Sequence, residues 1–189
     1  MTPVVAFSGP SGAGTTTLLV RLVAELVRRG LAVGALKHSG HPHSFDVPGK
    51  DSDRLRRAGA RGVAVQGPSQ LAWFGPARPG GARALARLLP RVDLVVAEGF
   101  KSERLPRVEV HRRAAGRAFL CARDPSVVAV VTDEPPPRPL PAFAPAEVGR
   151  LADFLVERFL RARRPRRAPG SRRVPGGGAQ RRPRPRQGA

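Results

Sequence analysis

The 189-residue sequence predicts an α/β fold of the P-loop type, a mostly parallel sheet with helices on both faces. Three observations predict it. Short apolar runs recur at residues 3–7, 31–36 and 127–131, and in 93–97 after a leading Asp93, as strands buried on both faces require. Amphipathic helical stretches lie between them. A glycine-rich turn joins the first apolar run to the first helix.

Taken in order, residues 3–7 form a strand that ends in Ser8-Gly9. Residues 16–29 form a helix, with Leu18, Leu19, Leu22, Val23, Leu26 and Val27 on one face and Gly30 as its stop. Residues 31–36 give a second buried strand, and residues 37–50 a long polar loop. A helix then begins near Asp51-Ser52, with either residue as N-cap, and ends by Gly59. Residues 63–66 and 71–74 read as short strands, and 82–89 as a helix. Residues 93–97 form a buried strand that delivers Glu98-Gly99. Residues 107–111 alternate polar and apolar, as an edge or hairpin strand does. Residues 127–131 are the last buried strand expected, and 146–160 a closing amphipathic helix. Residues 1–160 thus make one domain. Residues 161–189 carry eleven arginines and no acid, +11 of the formal +20, with too much Pro and Gly to pack; a disordered tail is expected there.

Of 34 basic residues only three are lysine: Lys37, Lys50 and Lys101. Asn, Ile and Tyr are absent, which marks a compositional bias and discounts the arginine count as a sign of a charged partner. The tail lacks interleaved aromatics that stack on bases, so nucleic acid is not expected as a partner. Cys121 is alone, which excludes a disulfide framework and a cysteine zinc site. No apolar run approaches the roughly 20 residues that span a bilayer, and no leader-like segment precedes the first strand; a cytoplasmic protein is expected.

The segment Gly9-Pro10-Ser11-Gly12-Ala13-Gly14-Thr15-Thr16 has the spacing of the phosphate loop G-x-x-x-x-G-K-[ST], except that Thr15 replaces the lysine. Its glycines allow backbone N–H groups to converge on phosphate oxygens at the positive end of a helix that continues through Thr17. Thr16 is placed to offer its hydroxyl to Mg²⁺. What Thr15 removes is an ammonium on the terminal phosphates, a charge-assisted contact of about 1.5–3 kcal/mol. The three lysines all fall in short loop segments, Leu36-Lys37-His38, Gly49-Lys50-Asp51 and Phe100-Lys101, where each could meet phosphate or replace the missing charge.

Beside the loop stand Phe45-Asp46-Val47-Pro48-Gly49-Lys50-Asp51-Ser52, Ala97-Glu98-Gly99-Phe100-Lys101 and Pro106-Arg107-Val108-Glu109-Val110-His111. In this order and spacing, over roughly residues 3–160, they resemble the molybdopterin-guanine dinucleotide biosynthesis adaptor protein B family. The resemblance implies a homodimeric GTP-binding protein with weak GTP hydrolysis. It would assist a molybdopterin guanylyltransferase, with molybdopterin or its guanine dinucleotide as further partner. It departs from the family at Thr15, which puts hydrolysis in doubt, and at Arg107, where lysine is usual.

Glu98, at a strand end, resembles the acid that faces Mg²⁺ or its water in related proteins; a solvated acid is the alternative. Asp46 and Asp51 are candidates for the metal shell or for orienting water, with Asp51 as plain helix cap the alternative. Catalysis would fall to Asp46 and Glu98. His38, His41 and His43 share one loop, but no fourth zinc ligand accompanies them, and contacts to phosphate or pterin fit better. Asp133 could accept hydrogen bonds from guanine, though no Asn/Thr-Lys-x-Asp motif supports it. Trp73 and Phe74 read as core or dimer contacts, and His111 as a structural histidine. Two other functions compete: a module that holds nucleotide or pterin without turnover, and a P-loop kinase of a small metabolite.

Overall fold

The computed structural model describes residues 1–40, 44–76 and 80–161. His41, His43 and the tail beyond Arg161 lie outside the described residues. Six strands form one parallel sheet: β1 (Val4–Ser8), β2 (Val33–Lys37), β5 (Leu94–Glu98), β6 (Arg107–Val110), β7 (Val127–Val131) and β8 (Ala142–Phe143), in the spatial order β2-β5-β1-β6-β7-β8. β3 (Val63–Gln66) and β4 (Leu71–Phe74) pair antiparallel in a separate two-stranded sheet. Among the described residues there are four α-helices, α1 (Thr15–Arg28), α2 (Asp51–Arg57), α3 (Gly81–Ala86) and α4 (Val148–Leu155), the last continued by a π-helical turn over Val156–Leu160, and two 3-10 turns, Arg113–Ala115 and Leu120–Ala122.

Alternation along the strands builds two layers. Val5, Phe7, Leu94, Val96, Val108, Val110, Ala129 and Val131 face α1 and α4, against Leu18, Leu22, Leu26, Leu151 and Leu155. Val4, Ala6, Val95 and Ala97 face the other way, onto Ala82, Phe100 and Leu105. Nearly every residue of β1, β5 and β7 is therefore buried, which is why those runs are apolar. β2 corrects the expectation of a second buried strand: it lies at a sheet edge, and only Gly34 of its five residues is buried. Gly34 on β2 lets Leu89 pack close, since a Cβ there would lie 2.6 Å from Leu89 Cδ1 and that side chain would have to shift.

β6 overturns the expectation of an edge or hairpin strand. It lies inside the sheet, parallel to β1 and β7 on its two sides. The alternating polar residues Arg107, Glu109 and His111, on β6 and just past it, are buried, and loops meet most of their polar atoms, with Arg107 Nε and His111 Nδ1 left without a hydrogen bond. Glu109 accepts the N–H groups of Leu120 (2.6 Å) and Cys121 (2.7 Å). His111 pairs through Nε2 with Glu134 at 2.7 Å and stacks on Phe119 at 3.7 Å, a structural histidine as expected. Arg107 donates to Ser8 Oγ and to the carbonyls of Gly99, Phe100, Lys101 and Glu103.

Three smaller corrections follow the same physics. The N-cap of α2 is Lys50, without a side-chain cap; Asp53 accepts from the Gly49 N–H at 2.9 Å instead, so Asp51 and Ser52 need not cap. β8 extends the sheet beyond β7, which is not its last strand. Trp73 is 45% exposed, so it is not a core residue. Glu103 caps α3 from a distant loop, its carboxylate accepting the Ala82 N–H at 2.9 Å and 3.0 Å.

Outside the sheet, Arg29 ties α1 to α4. It meets Glu25 at 2.7 Å, Asp153 at 2.7 Å and the Gly149 carbonyl at 2.9 Å. Hydrogen bonds from Arg28 and then Arg29 lower the Glu25 carboxyl from 4.5 to about 2.

Two outcomes follow. Arg107→Met leaves buried carbonyls without donors and should cost about 3 kcal/mol or more in urea unfolding; a loss of less than about 1 kcal/mol would contradict the clamp. The Glu25 contribution is complete above pH 4.5 and is lost as pH falls toward 2. Glu25→Gln should flatten that part of the curve in thermal melts across pH, and an unchanged acid slope would refute the assignment.

Candidate functional site

β1 is the strand at which the sheet's winding reverses, with β5 on one side and β6 on the other. In such sheets the crevice beyond the strand ends is where ligands bind. The glycine-rich loop leaves β1 at this point. Gly9 is fixed by space, because a Cβ would sit 2.3 Å from the Val110 carbonyl oxygen. Gly12 and Gly14 are fixed by conformation, at φ 82° and 80°. Between them the Ala13 N–H closes a turn onto the Pro10 carbonyl at 3.2 Å.

α1 opens with Gly14 as N-cap and has neither a side-chain cap nor an acid in its first turn. The first backbone N–H groups of a helix lack intrahelical partners, and here no local side chain takes them. A positive helix end without a cap is suited to an anion.

Three elements bring charged groups to this end. Thr16 donates to Glu98 Oε1 at 2.5 Å, joining α1 to the end of β5. Lys37, at the end of β2, places Nζ 3.0 Å from Glu98 Oε2 and 3.5 Å from Thr16 Oγ1. These residues, with the loop from Gly9 to Thr17, His38 and Lys101, line one cleft of about 570 Å³. A second hollow of about 470 Å³ lies along the loop's other flank, with Thr17, Arg21 and Arg112 in its wall.

The chemistry of this oxygen pair fits Mg²⁺. The Thr16 hydroxyl and the Glu98 carboxylate are hard donors, and Mg²⁺ commonly takes one or two protein oxygens and completes its shell with phosphate and water. Among the described residues no cluster of three or more His, Cys, Asp or Glu forms a cage for a metal alone.

Of the residues expected from sequence, the structure gathers Gly9, Pro10, Ser11, Gly12, Ala13, Gly14, Thr15, Thr16, Thr17, Lys37, Lys101 and Glu98 at the loop and its two hollows. Asp46, Lys50 and Asp133 line neither. Asp46 is buried beneath α2, accepting from Ser52 Oγ at 2.8 Å with Arg56 at 3.7 Å. Lys50 is exposed at the start of α2. Asp133 follows β7 and accepts the Arg113 N–H at 2.9 Å, a bond that lowers its carboxyl below the ordinary value. Asp51 is exposed in the first turn of α2, 3.7 Å from Arg54.

The sequence reading missed Ser8 and Arg107. Ser8 donates to the Gly99 carbonyl at 3.1 Å while accepting from Arg107, which ties the root of the loop to the turn after Glu98. That turn is strained: Gly99 has φ 89°, and Phe100, a non-glycine residue, φ 48°. The Arg107–Glu109–His111 alternation was the available signal, in a run that otherwise reads as core.

Comparison with known proteins agrees with this geometry. The sequence model of molybdopterin guanine dinucleotide synthesis protein B matches residues 4–133. The molybdopterin-guanine dinucleotide biosynthesis adapter protein of Escherichia coli K12 is 36% identical over 83% of this chain and 93% of its own length. The adapter protein of the same name from Haemophilus influenzae is 34% identical over 84% and 89%. The crystal structure of a MobB protein homolog from Bacillus stearothermophilus superposes with a TM-score of 0.59 at 29% identity, covering 85% of this chain and 99% of that one. With its parallel sheet, its loop beyond β1 and these relatives, the chain belongs to the molybdopterin guanine dinucleotide synthesis protein B family.

Proposed function

We propose that this chain is a GTP-binding adaptor in molybdopterin-guanine dinucleotide biosynthesis, assisting guanylyltransfer to molybdopterin, and that it hydrolyses GTP weakly or not at all. The adapter role rests on family membership. The nucleotide reading is carried by one observation: an uncapped helix start, a glycine loop and the Thr16–Glu98–Lys37 cluster face a single cleft.

In this reading the phosphates lie over the first N–H groups of α1, and the sugar and base extend toward the hollow beside Thr17, Arg21 and Arg112. Thr16 and Glu98 would hold Mg²⁺, which supplies charge neutralisation at the phosphates when bound. Lys37 takes over the part of the absent loop lysine. Its pairing with Glu98 is solvent-accessible, the Lys37 side chain being 63% exposed, and exposed pairs contribute only about 0–1 kcal/mol. The ammonium can therefore exchange Glu98 for phosphate at little cost.

Slow hydrolysis follows from the same substitution. Phosphoryl transfer depends on positioned positive charge around the transferred group. Lys37 reaches the cleft from β2 rather than from the loop, and no described carboxylate besides Glu98 lines the cleft to orient water. Asp46 lies elsewhere, which favours binding over turnover.

Calorimetry on loop variants tests the charge replacement. Lys37→Ala should weaken GTP binding about tenfold or more, the size of one charge-assisted contact. Adding Thr15→Lys to that variant should restore most of the loss. Unchanged affinity in Lys37→Ala would remove Lys37 from this role.

A further inference from the structure

We propose a second ligand site in this chain, a seat for a small organic phosphate that carries a flat aromatic ring, on the β6 side of the phosphate loop. A hollow of about 380 Å³ lies there. Its apolar wall is Pro10, Phe119 and Leu120, and its cationic side is Lys101, Arg117 and Arg123. The volume accommodates a two-ring molecule and is separate from the hollow beside Thr17.

Two features make this more than a surface dent. The first is unspent charge. Among the described residues none of the Lys101, Arg117 and Arg123 side chains has an ion-pair or hydrogen-bond partner; Arg61, Arg83, Arg87, Arg91 and Arg104 are unpaired too, and what sets these three apart is that they line one hollow. The one carboxylate in the hollow is Glu109, and it is buried with both oxygens engaged by the N–H groups of Leu120 and Cys121. Three cations against one engaged anion leave the cavity positive, and mutual repulsion is relieved by an anionic ligand.

The second is an apolar wall held in place. Phe119 is stacked on buried His111, whose Nε2 is fixed by Glu134 at 2.7 Å. Leu120 stands 37% exposed beside it, its backbone pinned by Glu109. An aromatic ring and an exposed leucine beside fixed cations suit a planar ring joined to an anion better than either alone. The hollow shares Ser8, Gly9, Pro10 and Lys101 with the nucleotide cleft, so its ligand lies directly beside that cleft.

The inference rests on this geometry and not on nucleotide binding, so failure of GTP to bind leaves its test intact. The probe is 1-naphthyl phosphate, followed by its fluorescence, with 1-naphthol and inorganic phosphate as controls. We expect saturable one-to-one binding, about tenfold or more tighter than either control, because ring and anion each contribute. Arg117→Gln with Arg123→Gln should weaken it about tenfold or more. Arg83→Gln with Arg87→Gln, which removes equal charge from α3, should leave it unchanged, as should Thr16→Ala in the nucleotide cleft. Equal weakening by both arginine pairs would reduce the effect to general electrostatics and overturn the site. Loss on Thr16→Ala with no response to Arg117 and Arg123 would place the probe in the phosphate loop and overturn it equally.

Discussion

A single guanidinium inside the sheet holds the binding end of this molecule together. Arg107 is 1% exposed and reaches Ser8 at the end of β1 and four carbonyls of the turn that follows β5. The planar fork of arginine can serve several acceptors at once, which a lysine ammonium at the same place does less completely. The carbonyls it satisfies belong to a turn with two consecutive left-handed residues, Gly99 and Phe100. Such backbone persists only where its surroundings over-determine it, at a cost of about 1–3 kcal/mol for the non-glycine residue. The turn then sets Glu98 and Lys101 on one side of the loop, while Ser8 fixes the loop's root. Site geometry therefore depends on a charge buried in the second layer of the fold.

Electrostatics at the loop divide between elements that sequence separates widely. The common arrangement draws its cation from the loop itself, one residue before the metal-binding hydroxyl. Here Thr15 leaves that place neutral, and the nearest ammonium comes from the end of β2, in contact with Glu98 and Thr16. A cation on a neighbouring strand holds its position only as well as the sheet holds that strand. β2 is one of the sheet's two edge strands, and among the described residues it pairs with β5 alone, so the Lys37 position rests on the β2–β5 register, which pairs Lys37 with Glu98.

Much of this was legible in the residues. β3 and β4 fall where their β-branched and aromatic runs place them, and β1, β2, β5 and β7 lie within about two residues of their apolar runs, the usual boundary error. The glycine-rich loop was legible because Gly12 and Gly14 are demanded by local backbone conformation, although Gly9 is demanded by the distant Val110 carbonyl. β6 was not. Alternation of polar and apolar residues reports that one face differs from the other, and water is only the commonest reason. Here the polar face meets backbone N–H and C=O groups from the loops before and after the strand. Glu103 capping α3 belongs to the same class, since a partner 21 residues away leaves no local trace. Asp46 and Lys50 flank a conspicuous segment, yet that segment folds onto α2 rather than into the cleft.

The central claim is that an uncapped helix start, served by a cation from β2, binds a nucleoside triphosphate without the loop lysine. Titration calorimetry of the unaltered protein with GTP in Mg²⁺ tests it most directly. The account predicts one-to-one binding, with GTP held more tightly than GDP because Lys37 and Glu98 act at the terminal phosphate. Absence of any binding heat for GTP, ATP and GDP, in a protein that melts cooperatively, would contradict it.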